Sequence, residues 1–406
     1  MTPPFISNIC IIGAGPGGSS ASIQLSNQGI DHLMVDKAAF PRDKICGDAC
    51  SGKVVDALNT LGINDYQNIP TLDSWGVTFI APNGNALRVP FKPDMDKADN
   101  APGFISKRID FDNMLLQKAT AQKQCTFKEK IDLRAFEYMD GRWKCFDKNG
   151  DLLVDAQYLI IAEGAQSMFA RHIAGIKQEP KHFAAGIRAY YKNVTGLEKD
   201  NFIELHFLKE FIPGYFWIFP LPNGQANVGI GLRSDLVKSR KIDLKKKLFE
   251  LIDQHPVLKE RFKDAELVDN VKGFGLPFGS KKRKLTGENY LLVGDAGSLI
   301  DPFTGEGIGN AMISGIEAAK AMAFKLSDAT YSLEAYETNV YRKLWKELQL
   351  STKLQSLANQ KWLFNWLINK ATTNTTLSTT ISNMFMDLDI RDQLKRPSFY
   401  FKLLFN

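Results

Sequence analysis

The sequence predicts an α/β protein in which a Rossmann-type nucleotide-binding domain is interleaved with an antiparallel-sheet domain and followed by a helical C-terminal extension. Three observations carry that expectation. A glycine-rich turn, Gly13-Ala14-Gly15-Pro16-Gly17-Gly18, follows an apolar strand near the N-terminus. A second such turn, Gly294-Asp295-Ala296 running on to Asp301-Pro302 and Gly305-Glu306-Gly307-Ile308-Gly309, comes about 280 residues later. Between them lie alternating segments such as Trp75-Gly76-Val77-Thr78-Phe79-Ile80 and Phe202-Ile203-Glu204-Leu205-His206-Phe207, which read as strands with one buried face.

The first turn has the context that a dinucleotide site requires. Asn8-Ile9-Cys10-Ile11-Ile12 is short, apolar and rich in β-branched residues, as a fully buried parallel strand should be. Ser19 to Leu25 continues as a helix, Gly29 stops it, and His32-Leu33-Met34-Val35 makes the next strand, ending at Asp36. Gly13 permits the tight turn, Gly15 lets backbone approach a pyrophosphate beside Ala14, and Gly18 lets helix pack on strand. The helix start offers free N–H groups and a positive dipole end to phosphate. Asp36 is placed to accept hydrogen bonds from ribose hydroxyls, with Lys37 beside it. These features require a dinucleotide without choosing between NAD and FAD.

The second turn chooses FAD. Asn289-Tyr290-Leu291-Leu292-Val293 is another buried strand, and Ile308 to Leu326 places Ile308, Ala311, Met312, Gly315, Ile316, Ala319 and Met322 on one helical face. Gly305 and Gly307 leave the start of that helix open to negative charge. A carboxylate followed by a dipole-bearing helix suits a cofactor with both a polyol and an electron-accepting ring. Asp295 would hold the ribityl chain, and the helix start would favour the reduced flavin. The plainer reading is a strand–loop–helix with a capping acid.

On these motifs the chain resembles the large FAD family of aromatic hydroxylases, flavin halogenases and geranylgeranyl reductases, over roughly residues 5 to 330. By that resemblance Arg108 and Asp112 belong to the arginine-bearing helix start that contacts FAD, and Tyr158 to Ser167 is the third family segment, with Arg171 beyond it. Glu163-Gly164 stands where the family usually has Asp-Gly.

Two markers resemble the geranylgeranyl reductase branch. Pro213-Gly214-Tyr215-Phe216-Trp217-Ile218-Phe219-Pro220 puts Tyr215, Trp217 and Phe219 on one strand face, an aromatic wall suited to a polyisoprenoid; a half-buried core strand would look the same. Asn227-Val228-Gly229-Ile230-Gly231-Leu232 matches the strand that follows in that branch. Lys44-Ile45-Cys46-Gly47-Asp48-Ala49-Cys50, preceded by Arg42, resembles the branch's Cys-Gly-acid segment, which implies that Arg42, Cys46, Gly47 and Ala49 line the cofactor. A Cys46–Cys50 redox pair is the weaker reading, since the spacing is not Cys-x-x-Cys. The halogenase lysine motif is absent after Asp36.

The resemblance implies reduction of isoprenoid carbon–carbon double bonds, with Cys46, Tyr215 and Trp217 in the substrate pocket; the proton comes from solvent or a nearby acid, for which Cys46 and Tyr215 are candidates and no residue stands out as obligatory. NAD(P)H or a protein donor would reduce the flavin transiently, because no second nucleotide fold is legible. Gly273-Phe274-Gly275-Leu276-Pro277 lacks the flanking strand and helix. The rival readings are an FAD monooxygenase acting on a ring or polyene, and an electron-relay flavoprotein.

Composition sets the bounds. The chain has 406 residues, 44% apolar and 24% charged, enough for two domains and an extension. The expected FAD-binding domain comprises residues 1–75, 100–180 and 285–330; the substrate-binding sheet domain comprises 76–99 and 181–284; the helical region is 331–406. No apolar run reaches the length of a membrane span, and the chain enters its first strand at once, leaving no room for a signal peptide. Five scattered cysteines fit the reducing cytoplasm. No metal-ligand spacing and no nucleic-acid module are present. The formal charge is +6, with one dense basic cluster, Lys281-Lys282-Arg283-Lys284, read as a solvated loop. Trp362, Phe364, Trp366, Leu367 and Ile368 pack on the FAD domain or dip into the inner face of a membrane, with Lys395 to Lys402 adding to the second reading. The oligomeric state is not legible.

Overall fold

The computed structural model describes residues 3–91 and 101–374. Residues 92–99 of the expected sheet segment and the Lys395–Lys402 stretch lie outside them.

Two eight-stranded sheets organise the molecule. The first is centred on Phe5–Ile12, paired in parallel with Leu152–Ile161 on one side and His32–Val35 on the other. Tyr290–Leu292 and Cys125–Lys128 extend it in parallel at either side. Ile9, Cys10 and Ile11 are fully buried, because helices cover one face and a meander built on Ala135–Met139 and Arg142–Phe146 covers the other. That double cover is why the strand sequence is continuously apolar rather than alternating.

The two glycine-rich stretches meet on this sheet. Helix Pro16–Asn27 packs against helix Ile308–Ser327. They come so close that a Cβ on Gly315 would lie 2.1 Å from the Gly17 carbonyl oxygen. A Cβ on Gly18 would lie 1.8 Å from the Gly13 carbonyl oxygen, so this glycine sets the packing of helix on strand.

The second sheet runs Glu266–Leu267, Phe183–Lys192, Gln225–Arg233, Tyr215–Leu221, Ile203–His206, Gly76–Ile80 and Ala86–Pro90 in spatial order, with Lys272–Pro277 also paired to Phe183–Lys192. Its pairings are antiparallel except for Ile203–His206 on Gly76–Ile80, which is parallel. In Gln225–Arg233, alternation sends Val228, Ile230 and Leu232 into the core under helix Leu244–Gln254. Asn227, Gly229 and Gly231 therefore face the opposite way, towards the first domain. Gly273-Phe274-Gly275 is strand, not a phosphate-binding turn.

Helix Glu334–Ala358 closes the structure over the first sheet, anchored by Tyr336, whose hydroxyl donates to the Leu292 carbonyl at 2.6 Å. In the basic cluster Lys281, Lys282 and Lys284 are exposed, and Arg283 is the member that departs from the expected solvated loop. The guanidinium of Arg283 is buried and donates to the Phe278 carbonyl at 3.1 Å, while the Tyr341 hydroxyl bonds both its N–H and its carbonyl. Lys282 sits over the Tyr341 and Trp345 rings. Arg283 and Lys282 thus contact the helix, while Lys281 pairs with Glu179.

Candidate flavin and substrate site

A single cavity of about 1230 Å³ runs between the two sheets, and the motifs from both ends of the chain converge on it. At its first end Gly13 adopts φ +104°, and a Cβ there would lie 2.3 Å from the Ala162 carbonyl oxygen. Gly15 is the N-cap of helix Pro16–Asn27 with no side-chain cap, so the helix start is open towards the cavity. Ala14 and Gly18 do not line the cavity. The Ala14 N–H donates to Asp36 Oδ2 at 2.7 Å, and Ala38 N–H donates to Oδ1 at 2.8 Å. Asp36 thus ties the glycine turn to the end of the second strand while still lining the cavity beside Lys37.

Arg108 opens helix Arg108–Thr120 and grips Asp112 one turn on with two bonds, of 2.6 and 2.8 Å. Arg42 adds a third at 2.9 Å. Burial works against the charge on both Arg108 and Asp112. The pair overcomes it, so the guanidinium stays above and the carboxyl below its ordinary value. Arg42 and Arg108 both line the cavity as fixed cations.

At the second turn Gly294 takes φ +58° against Ala311, and Asp295 reaches the cavity 3.8 Å from the Lys44 ammonium. Gly307 caps the long helix without a side-chain bond, although Glu306 Oε1 takes the Gly309 N–H at 2.8 Å. Asp301 shapes the preceding turn, Oδ1 accepting the Phe303 and Thr304 N–H groups. Gly305 and Ile308 complete this wall. Glu163 also lines the cavity, but Oε2 accepts from Ser167 Oγ at 2.5 Å and from the Phe169 N–H at 3.2 Å. Burial raises its pKa. Glu163 thus supports the start of the short helix Met168–His172, whose N-cap is Ser167.

The Lys44–Cys50 segment crosses the middle of the cavity, with Cys46, Gly47 and Ala49 on its wall. Cys46 and Cys50 are free thiols, and Cys50 is buried in the core with its pKa pushed up by burial. Tyr215 and Trp217, expected on the substrate wall, sit one layer behind it among the described residues. The Tyr215 hydroxyl donates to the Thr304 carbonyl at 3.1 Å, and burial holds its pKa up. The Trp217 indole lies over Gly229 and donates from Nε1 to Asn227 Oδ1 at 2.9 Å. Phe219 is the aromatic of this strand that reaches the cavity. The three rings share one side of the strand, with the first two hydrogen-bonded behind the wall that Phe219 reaches.

Sequence reasoning missed the group behind that wall. Asp48 is fully buried at φ +68° and accepts from Tyr190 Oη and Asn227 Nδ2, each at 2.8 Å. Burial raises its pKa to about 6, against the lowering effects of Asn227, Tyr190, Arg188 and Arg108. The available signal was Asn227, a fully buried polar residue beside Gly229 and Gly231 on one strand face.

Beyond the flavin motifs the cavity continues between Val77, Phe91, Ile203, Leu205, Phe303 and Leu354. At its other rim Lys53 is buried in a pair with Glu347 and donates to Asn310 Oδ1 at 3.3 Å. Among the described residues no group of acids, histidines and cysteines is arranged to hold a metal ion.

One helix start with no side-chain cap, a second whose Gly309 N–H alone is taken by Glu306, a glycine turn closed to any side chain and two fixed arginines around one cavity fit FAD. The fold and this cradle define an FAD-dependent oxidoreductase. The chain belongs to the FAD binding domain family, which matches residues 7–351, and within it to the geranylgeranyl reductase branch. It is 30% identical over 345 residues to the digeranylgeranylglycerophospholipid reductase of Thermoplasma volcanium, covering 84% of this chain and 83% of the relative. The menaquinone reductase of Mycolicibacterium smegmatis is 28% identical over 329 residues, covering 78% and 76%. A geranylgeranyl bacteriochlorophyll reductase-like protein of Thermoplasma acidophilum shares the fold with a TM-score of 0.80 at 22% identity, covering 97% of this chain and 100% of that one.

Proposed function

We propose that this protein reduces carbon–carbon double bonds of an isoprenoid lipid. The observation that carries the reading is the apolar extension of the cavity past the flavin motifs. The chain's similarity to a digeranylgeranylglycerophospholipid reductase and to a menaquinone reductase supports it. When bound and reduced, FAD would supply the hydride and solvent or a nearby acid the proton that together saturate the double bond; NAD(P)H would re-reduce the flavin by hydride, or a protein donor by two electrons with protons from solvent. The chain's own groups bind, orient and exclude water. Gly13, Gly15 and the helix start behind them hold the pyrophosphate, and Asp36 keeps its remaining lone pairs for ribose. Arg42 and Arg108 add positive charge, Asp295 takes the ribityl chain, and the Gly307–Ile308 backbone faces the ring. Cys46 and Phe219 meet the substrate, whereas Tyr215 and Trp217 support them from behind. Residues 1–75, 100–180 and 285–330 act as the cofactor unit.

The membrane is the natural source of such a lipid. Among the described residues no helix is long and apolar enough to cross one. In helix Lys361–Thr373, however, Phe364 and Ile368 are buried against the second sheet while Trp362 and Trp366 are 69% and 37% exposed. Indole rings flanked by Lys361 and Lys370 suit the headgroup region of an anionic bilayer. We read this helix as a peripheral contact.

The deciding experiment reduces the flavoprotein without air and follows its reoxidation by polyprenyl phospholipid, prenylated quinone and oxygen. A saturated product formed one per flavin reoxidised is expected. Oxygen-dependent hydroxylation would replace this reading with a monooxygenase, and reoxidation with no altered lipid would indicate an electron relay.

A further inference from the structure

The amide of Asn227 bonds its own strand to the aromatic strand beside it and to the cysteine turn. Its Nδ2 donates to the Cys46 carbonyl and to Asp48 Oδ2, each at 2.8 Å, and its Oδ1 accepts from Trp217 Nε1 at 2.9 Å. The register sets this up: Asn227 lies opposite Phe219 on one neighbouring strand and opposite Tyr190 on the other. Tyr190 in turn donates to Asp48 Oδ2. The Arg108 N–H reaches Asp48 Oδ1 at 3.3 Å, and the Asp48 carbonyl accepts the Ser106 N–H at 3.1 Å.

Asp48 needs this support. A non-glycine residue at φ +68° is held in a sparsely populated conformation, which persists only where its surroundings over-determine it. The turn it ends presents Cys46 and Gly47 to the cavity, and Gly47 is packed beneath Phe219. A shift at Asp48 would therefore move the cavity wall itself.

We infer that Asn227 is a positioning residue which, through Asp48, fixes the Cys46–Gly47 turn over the cofactor cavity and couples it to Trp217. The inference rests on the flavin site but not on the identity of the lipid. The groups facing Asp48 are Arg108 from the helix after Lys107, Arg188 and Tyr190 from the neighbouring strand, Asn227, and the Cys50 thiol of its own segment, while the Cys46 thiol faces Arg108. Arg188 lies 3.9 Å over the Tyr190 ring and donates to Asp43 at 2.9 Å, so the positive charge nearest the network is itself anchored.

The test reads the turn directly and needs no substrate. Native protein, with and without FAD, is treated with iodoacetamide, and labelling of Cys46 is followed by peptide mass spectrometry against Cys125 as internal reference. Asn227→Ala and Asn227→Ser are expected to raise relative Cys46 labelling at least tenfold, with Asp48→Asn in between, because it keeps one acceptor for Tyr190. Tyr190→Phe should change it less than threefold. Relative labelling raised less than threefold in folded Asn227 variants would overturn the inference. Should both fail to melt cooperatively, Asp48→Asn decides on the same scale. A failed lipid-reduction assay leaves this readout intact, so the two proposals fall separately.

Discussion

Gly47 and Phe219 pack so closely that a Cβ on the glycine would stand 2.8 Å from the phenylalanine ring. Gly47→Ala must therefore displace the aromatic that lines the cavity. Overpacking of this kind costs about 1–3 kcal/mol. The expected outcome is FAD affinity within a few-fold of the parent and a roughly tenfold slower reoxidation by polyprenyl lipid, equivalent to about 1.4 kcal/mol in the barrier. Stopped-flow absorbance of the flavin measures both.

Arg108→Leu leaves the Asp112 carboxylate buried with only Arg42 to compensate it. Breaking a buried ion pair in this way costs about 3–5 kcal/mol, and the remaining arginine places the expected loss near the lower end. Urea denaturation should show it, with FAD binding weakened in parallel because a cavity cation is gone. Arg108→Lys should recover part of the charge but not the two-bond grip, and so part of the stability.

Asp48 makes a prediction with a definite sign. Burial raises its pKa from 3.8 to about 6, so the folded protein holds this proton more tightly than the unfolded chain. Its contribution to stability is full below about pH 4 and is lost as pH rises through about 6, a change of roughly 3 kcal/mol. The stability difference between parent and Asp48→Asn should therefore turn against the parent by that order between pH 4 and 7. A difference independent of pH in paired denaturation curves would contradict the assignment.

The exposed indoles predict a surface effect separable from the chemistry. Trp362→Ala with Trp366→Ala should reduce sedimentation with anionic phospholipid vesicles at least tenfold while leaving flavin spectra and turnover of detergent-dispersed lipid unchanged. Neutral vesicles should bind the parent more weakly, since Lys361 and Lys370 flank the rings. Equal binding of parent and double variant would remove this helix as the contact.

The parts of the site that were legible in the sequence are those whose partners are local. Gly13 and Asp36 announce themselves because strand, turn and helix follow one another within a few dozen residues, whereas Arg108 was legible only through the family resemblance. The face of Tyr215, Trp217 and Phe219 was equally legible, because side chains on a strand alternate. What stands in front of a face is not a local property. Asp48 meets Tyr190 across 142 residues and Asn227 across 179, and no periodicity records that meeting. Glu163 shows the opposite limit. Its departure from the family pattern was visible, but its support of a helix start depended on the conformation of its neighbours.

The strands of the two sheets alternate along the chain: Phe5–Ile12 and His32–Val35, then Gly76–Ile80 and Ala86–Pro90, then Cys125–Lys128 to Leu152–Ile161, then Phe183–Lys192 to Lys272–Pro277, then Tyr290–Leu292. No single scission yields one intact sheet and its complement. Split-protein halves, single-layer expression and modular swapping with another flavoprotein should all be unproductive. The architecture can be tuned by point changes at its cavity, but it must be inherited whole.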